Sequence, residues 1–414
     1  MKILHITFSK SGGAGIGVKR LQESLKQRKI KNETFFFDEF LNSKFQISNK
    51  IIWYLHIFLK KILIRFFSSL KKKNSISLNI FSNFNLSKLI KNKNPDIVHL
   101  HWIGNEMISM KQISQINKPL VWTMHDMWPV LGCEHYTSNN RFIHGFSSYN
   151  RPDYERGLDL DKITWDRKFK YLKKKKINII CPSNWIKSKV KKSFIFRSKD
   201  KFLCPYMIDQ SQWKILPKKK LFISKEGPKK KTIIFFSATS SVNYRKGFSY
   251  LVEVINRYLK KENYLLLVAG TKPKLFDDLL IEKKFLGNVN SQKLLNKIYC
   301  SSDILVVPSI LETFGQVFTE AGICGRPSVA FDGTGASDII EHKITGYLAK
   351  YKSSKDLANG ILWCEKKIKT QKNFSTLIRK KIIKKFSYEK NISKMIKIYG
   401  KILENYQHLN DKNL

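Results

Sequence analysis

Two glutamates, Glu312 and Glu320, stand with seven residues between them in the stretch SILETFGQVFTEAGICGRP, from Ser309 to Pro327. The apolar, β-branched run DILVVPS ahead of them reads as a buried parallel strand, so Glu312 falls just past a strand end. From Gly315 onward Val317, Phe318, Ala321 and Gly322 recur at helical spacing, and Gly325 followed by Pro327 is a stop signal. Glu320 is therefore expected about two turns into a helix. A fully helical span would part the two carboxylates by roughly 12 Å and about 80° of rotation, so they cannot share one proton as an acid–base dyad. They suit the two ends of one extended ligand instead. A nucleoside diphosphate sugar has that form: vicinal hydroxyls at both ends can donate paired hydrogen bonds to carboxylates, and a diphosphate between them would face the helix N-terminus near Gly315.

A diphosphate also needs positive charge. The segment YRKG places Arg245 and Lys246 just before a glycine at the start of a helix expected near Phe248, where a cation and a helix N-terminus can act together. Near the other end of the chain, the strand Lys2 to Phe8 gives way to SKSGGAGIG, a Gly-rich turn that can bring backbone N–H groups close to a phosphate or sugar, with Gly12 and Gly13 the positions of interest. Two further strands, DIVHLHW from Asp96 and PLVWTMHDMW from Pro119, end close to His101 and His125, at the edge where open α/β sheets place ligands. Read from the residues alone, either histidine is equally a buried imidazole of the core.

The Glu block resembles the signature of the retaining GT-B glycosyltransferases of group 1: strand, proline, Glu, Phe-Gly, Glu-Ala, then Cys-Gly-x-Pro. That resemblance implies an α/β fold of GT-B type, two Rossmann-like domains facing across a cleft. It makes Glu320 the ligand of the donor ribose and Glu312 a contact of the transferred sugar, with Phe314 and Gly315 beside the donor. It also implies that Lys246, helped by Arg245, neutralises the diphosphate, and that Gly12 and Gly13 lie near donor and acceptor. An Arg usual in the family after the first strand of the donor domain is missing: Ser237, Ala238 and Thr239 occupy that place. HDMWP with the following Gly-Cys-x-His-Tyr stretch, and NRPDYERGLDLDKITWDRK from Asn150, resemble a subgroup active in exopolysaccharide assembly of the colanic acid type. With that likeness His125 becomes an active-site candidate. The implied partners are a nucleoside diphosphate sugar and a glycan or lipid-linked acceptor. No metal or other cofactor is expected, since no Asp-x-Asp pair lies near the donor residues.

Around these residues the chain has the material for two cores. Its 414 residues are 42% hydrophobic, and short apolar runs alternate with helical patterns, which points to α/β architecture. The expected division is an acceptor-binding domain over 1–205, a Lys-rich linker over 206–231, a nucleotide-sugar domain over 232–385, and a terminal segment, 386–414, crossing back to the first domain. The six cysteines form no Cys-x-x-Cys pair, so neither a disulfide framework nor a zinc site is indicated. MKILHITF runs straight into a strand and lacks a signal peptide's features, so a cytoplasmic protein is expected.

Basic residues exceed acidic ones by 45, spread along the whole chain. Such a charge concentrates anions without choosing among nucleic acid, lipid headgroup and nucleotide. Over 51–67 the charge joins a helical pattern. Ile51, Ile52, Leu55, Phe58, Leu59, Ile62, Leu63 and Phe66 share one arc, His56, Lys60, Lys61 and Arg65 the other, and Lys71 to Lys73 follow. The run is too short and too charged to span a bilayer. It reads either as a basic amphipathic helix on an anionic membrane surface, which would make the protein peripheral, or as a long helix packed on the core. Two other functions stay open at this point. A nucleotide-sugar epimerase would share the fold and need no acceptor. A nucleic-acid-binding protein would rest on charge alone, without compact aromatic and basic RNA motifs, so no nucleic-acid partner is expected.

Overall fold

The computed structural model describes residues 1–43, 46–68, 75–82, 84–217, 231–238 and 244–411. Thr239, Lys71 to Lys73 and most of the Lys-rich linker, 218–230, lie outside them. The chain divides into two compact units, one formed by residues 1–206 and 391–414, the other by 207–390.

The first unit is built on six parallel strands: β1 (Lys2–Thr7), β2 (Lys31–Phe36), β3 (Ile97–Leu100), β4 (Leu120–Thr123), β5 (Asn178–Cys181) and β6 (Lys201–Leu203). Their order is β2-β1-β3-β4-β5-β6, so the winding reverses between β1 and β3. The central strands are short, β-branched and buried along their whole length, as sheets covered by helices on both faces require. Trp122, Trp128, Phe142 and Phe196 fill the core around them, each at most 2% exposed. The terminal helix Tyr388–Asp411 belongs to this unit from Asn391 on, and its buried Tyr399 hydroxyl lies 2.7 Å from His99 Nδ1.

The second unit carries β7 (Thr232–Ala238), β8 (Tyr264–Gly270), β9 (Glu282–Phe285), β10 (Ile304–Val306), β11 (Ser328–Phe331) and β12 (Gly346–Ala349). All are parallel, in the order β12-β11-β10-β7-β8-β9. Here the winding reverses between β7 and β10. In an open α/β sheet the two loops leaving such a reversal part to opposite faces and leave a crevice beyond the strands' carboxyl ends. The Arg245–Lys246 turn follows β7 and Glu312 follows β10, while the Gly12 turn follows β1 and His101 follows β3. Each unit therefore brings its own candidate residues to its own reversal point. All six cysteines are buried free thiols.

The helix expected over 51–67 is present as Ile47–Phe67, but its orientation departs from the core-packing alternative. It turns a narrow stripe inward: Trp53, whose indole donates to the Asn105 carbonyl, then Lys60 and Ile64. Lys60 donates to the Ile76 carbonyl and lies 3.5 Å from the buried Glu106 carboxylate. The predicted apolar arc, apart from half-buried Ile62 and Leu63, faces solvent. Hydrophobic periodicity finds the helix and not its orientation, because Lys60 can be buried wherever a carboxylate from a distant segment meets it. Among the described residues no helix is long and apolar enough to cross a membrane.

Candidate functional site

In the second unit the site grows from two turns locked together. Gly247 caps the helix Phe248–Arg257 at φ +71°, and a Cβ there would stand 1.8 Å from the Pro308 carbonyl oxygen. Only glycine allows this approach. The Arg245 carbonyl accepts from Ile310 N–H at 2.8 Å, so the turn after β7 is fastened to the one after β10. That fastening delivers Lys246 Nζ to 2.6 Å from Glu312 Oε2, with Arg245 Nη1 3.8 Å from the same oxygen and 3.0 Å from the Leu311 carbonyl. Ser309 Oγ donates to Glu312 Oε2 at 3.4 Å, and Gly335 N–H donates to the Glu312 carbonyl.

Burial alone would raise the Glu312 carboxyl, but Lys246 and Arg245 outweigh it and hold it below the usual carboxylate range. Burial draws Lys246 below the usual lysine range, partly countered by Glu312. Both ions are held in place by each other. Two cations and one carboxylate leave the cluster with one net positive charge. It adjoins Gly315, which caps the helix Gln316–Ile323 at φ +89°, so the positive end of that helix lies beside the cluster.

Glu320 stands on that helix as expected. It is buried, and its Oε2 accepts from the Tyr299 hydroxyl at 3.1 Å. The Phe314 ring is 1% exposed and stands edge-on to Phe386, so it props the loop from inside.

The first unit's reversal point is chemically different. His101 Nε2 lies 3.0 Å from His5 Nδ1, and His101 Nδ1 lies 3.0 Å from His125 Nε2. His125 Nδ1 lies 2.5 Å from the Tyr206 hydroxyl, over which its ring also stacks. Burial pushes His5 down to about 3 and His125 down to about 4, and drives His101 well below its ordinary value. The chain His5–His101–His125–Tyr206 is thus neutral near pH 7 and passes a single hydrogen-bond polarity from end to end. His5 Nε2 is buried without a hydrogen-bond partner. An orphaned N–H in a core is rarer than an orphaned acceptor, which favours the polarity with the proton on His5 Nδ1 and on His125 Nδ1, facing Tyr206.

Asp126, next to His125 in sequence, does not orient it. Its carboxylate is 2.6 Å from His135 Nδ1 and accepts from Trp102 Nε1 and Trp128 N–H. The turn carrying His125 is fixed from the segment Asn150–Lys168. The buried Lys168 ammonium donates to the carbonyls of Trp128, Leu131 and Gly132, and Asp161 Oδ1 accepts from Cys133 N–H. Gly12, at φ +69°, opens the helix Gly12–Gln27 with open space around it, and Gly13 follows. Close approach in this turn rests on Gly15, whose Cβ would meet the Lys10 backbone at 2.3 Å, and on Gly17 against Tyr206.

Sequence reasoning missed His5, Tyr206 and Tyr299. His5 lies within the apolar strand KILHIT, and Tyr206 stands 81 positions from His125, so no local spacing links either to the cluster. The strand register that sets His5 opposite His99, one pleat from His101, carries the missing signal.

Residues 11–209 match the family Glycosyltransferase Family 4, and residues 218–381 match Glycosyl transferases group 1. Among curated proteins, an uncharacterized glycosyltransferase of Methanocaldococcus jannaschii is 28% identical over 175 residues, 39% of this chain and 44% of that protein. The matches thus span less than half the length of the curated relatives. Among solved structures, sucrose-phosphate synthase from Thermosynechococcus elongatus superposes with a TM-score of 0.68 at 15% identity, covering 98% of this chain and all of that one. Anabaena HepE, solved in complex with UDP and glucose, has a TM-score of 0.61 at 16% identity, covering 97% of this chain and 100% of its own. At these identities the structural likeness establishes the fold, which is GT-B.

Proposed function

We propose that the chain is a group 1 glycosyltransferase that moves a hexose from a nucleoside diphosphate sugar to a hydroxyl of a glycan or lipid-linked acceptor, a reading supported by the two family matches over 11–209 and 218–381. The cluster of Lys246, Arg245 and Glu312 beyond β7 and β10, beside the Gly315 helix N-terminus, carries this reading. It is the net-positive, hydrogen-bonded place that a departing diphosphate needs.

In the proposed reaction the bond from the anomeric carbon to the diphosphate breaks and the acceptor oxygen takes its place on the same face, retaining configuration. Lys246, Arg245 and the helix N–H groups stabilise the charge that develops on the leaving diphosphate, work that calls for no metal. Glu312 orients the hexose with the lone pairs that Lys246 leaves open, and Glu320 holds the ribose. Glu312 also keeps Lys246 charged and aimed before donor arrives, which is the preorganisation such catalysis depends on. Gly12 and Gly13 admit donor or acceptor to the backbone of the first unit, and His125 meets the transferring sugar or the acceptor. A role in exopolysaccharide or lipopolysaccharide assembly follows from the HDMWP likeness.

The test is a screen of UDP-, GDP-, ADP- and dTDP-sugars for thermal stabilisation, followed by transfer to glycan acceptors with the product anomer read by NMR. A ligand at 100 times its dissociation constant adds about 2.7 kcal/mol to the folded state, an easily read shift. Stabilisation by one nucleotide sugar and an acceptor-dependent product of unchanged anomeric configuration are expected. Product formed from donor alone would point to an epimerase and overturn the reading.

A further inference from the structure

The helix Ile47–Phe67 is about 30 Å long and shows solvent the wrong face for an ordinary surface helix. Ile51, Ile52, Leu55, Phe58, Leu59 and Phe66 are each between 39% and 71% exposed. Together they leave on the order of 500 Å² of apolar surface, the size of the largest patch an ordinary monomer shows, and such a patch is often functional. The side packed on the unit is anchored by Trp53, Lys60 and Ile64, so the exposed arc is not left out by a helix free to roll. A lysine is inside and phenylalanines are outside.

Charge says what covers this face. From Phe40 to Pro95, 56 residues, the sequence holds ten lysines and one arginine and not one aspartate or glutamate. The chain as a whole has 32 acidic residues in 414, which would put about four in a segment of that length. Lys61 and Arg65 flank the apolar arc along one edge, both exposed. A second copy of this chain on the same face would set this basic segment against itself with no carboxylate of its own to meet. A bilayer surface bearing anionic headgroups offers both an apolar boundary and negative charge.

We propose that the outward face of the helix Ile47–Phe67 docks the protein on an anionic lipid surface. The aliphatic and phenyl side chains enter the boundary below the headgroups, with the helix axis in the membrane plane, and Lys61 and Arg65 meet lipid phosphates. The helix lies on the membrane and does not cross it. This inference is independent of the transferase reading, because vesicle partitioning reads it without any donor or acceptor.

The experiment is co-sedimentation of the full chain with phosphatidylcholine vesicles, with and without a minority of phosphatidylglycerol. Binding should be at least about tenfold tighter with the anionic lipid and should weaken with salt. The triple variant Leu55→Gln, Phe58→Gln, Leu59→Gln should lose about tenfold or more, and Lys61→Glu with Arg65→Glu about tenfold. These positions are exposed, so the variants should keep their melting temperature. Should the triple variant misfold, a single Phe58→Cys protein carrying an environment-sensitive dye replaces it, and a blue shift on anionic vesicles is expected. Three results would each overturn the proposal: no binding by the parent protein, unchanged binding by the folded triple variant, or a dimer that the triple substitution dissolves. The second would mean diffuse adsorption by net charge, and the third that another copy covers the face.

Discussion

The two reversal points of this molecule solve the same topological problem with opposite electrostatics. Beyond β7 and β10 the side chains are ions that satisfy one another: Lys246 at 2.6 Å from Glu312, with Arg245 near by. Beyond β1 and β3 they are neutral imidazoles in series, ending on a phenol. An ion-paired site is prepared for a ligand whose charge changes, as a leaving diphosphate does. A neutral hydrogen-bonded chain avoids the cost of burying a cation, and in the polarity favoured above its last N–H is given to the Tyr206 phenol. In the proposed reaction the leaving group falls to the ion-paired site and the sugar hydroxyls to the neutral one, and that division can be broken at either end.

The largest effect is expected at the ion pair. Lys246→Ala should cut turnover by on the order of 100-fold, since it removes a charge that acts on the transition state. It should also destabilise the second unit by about 1–3 kcal/mol, because the buried Glu312 carboxylate loses its nearest cation and keeps only the more distant Arg245. Adding Glu312→Gln to that variant should restore most of the melting temperature and none of the activity. If activity returned with stability, Lys246 would be a scaffold for Glu312 and the contrast between the two sites would fail.

A pH titration should separate the units next. His5 and His125 are depressed from 6.5 to about 3 and about 4, so between pH 6.5 and 4 the unfolded chain binds protons that the folded first unit does not. Its stability must fall through that window, at about 1.4 kcal/mol for each unit of depression. Glu312 is depressed as a carboxylate, so its contribution is present above its ordinary value near 4.5 and is lost only below it. From pH 6.5 down to 5 the first unit should therefore loosen while the Glu312 pair holds. Hydrogen exchange resolved by unit would show it as faster exchange in β1, β3 and β4 than in β7 and β10. Equal loosening of both sheets would mean that the histidine chain is not what titrates.

How far these sites could be read beforehand follows from how local their signals are. Glu312, Gly315 and Glu320 sit in one stretch of a dozen residues, and strand, turn and helix signals there are enough to place them. Lys246 is legible as a cation at a helix start, but its pairing with Glu312 joins residues 66 apart through the Gly247 contact with Pro308, which no period announces. The histidine chain spans 201 positions, from His5 to Tyr206, and depends on strand order and register. The helix Ile47–Phe67 shows the limit most plainly. Its amphipathic pattern is clear, yet the face that packs was decided by a carboxylate at position 106.

The smallest expected effect tests whether the two glutamates truly divide the donor between them. Glu320 accepts a hydrogen bond from the Tyr299 hydroxyl at 3.1 Å, with that residue buried in the second unit's core. Tyr299→Phe removes the bond while keeping the ring that packs on Phe235 and Trp213, so the fold should lose only about 1 kcal/mol. A carboxylate no longer fixed would still reach a ribose but with freedom to lose on binding, so donor affinity should fall by roughly three- to tenfold with turnover at saturation unchanged. Glu320→Gln should act in the same direction and somewhat further, because a charge-assisted bond to the hydroxyls becomes a neutral one. A fall in saturated turnover instead of affinity would move Glu320 into the transition state, and the division between a binding carboxylate on the helix and an ion-paired one before it would no longer stand.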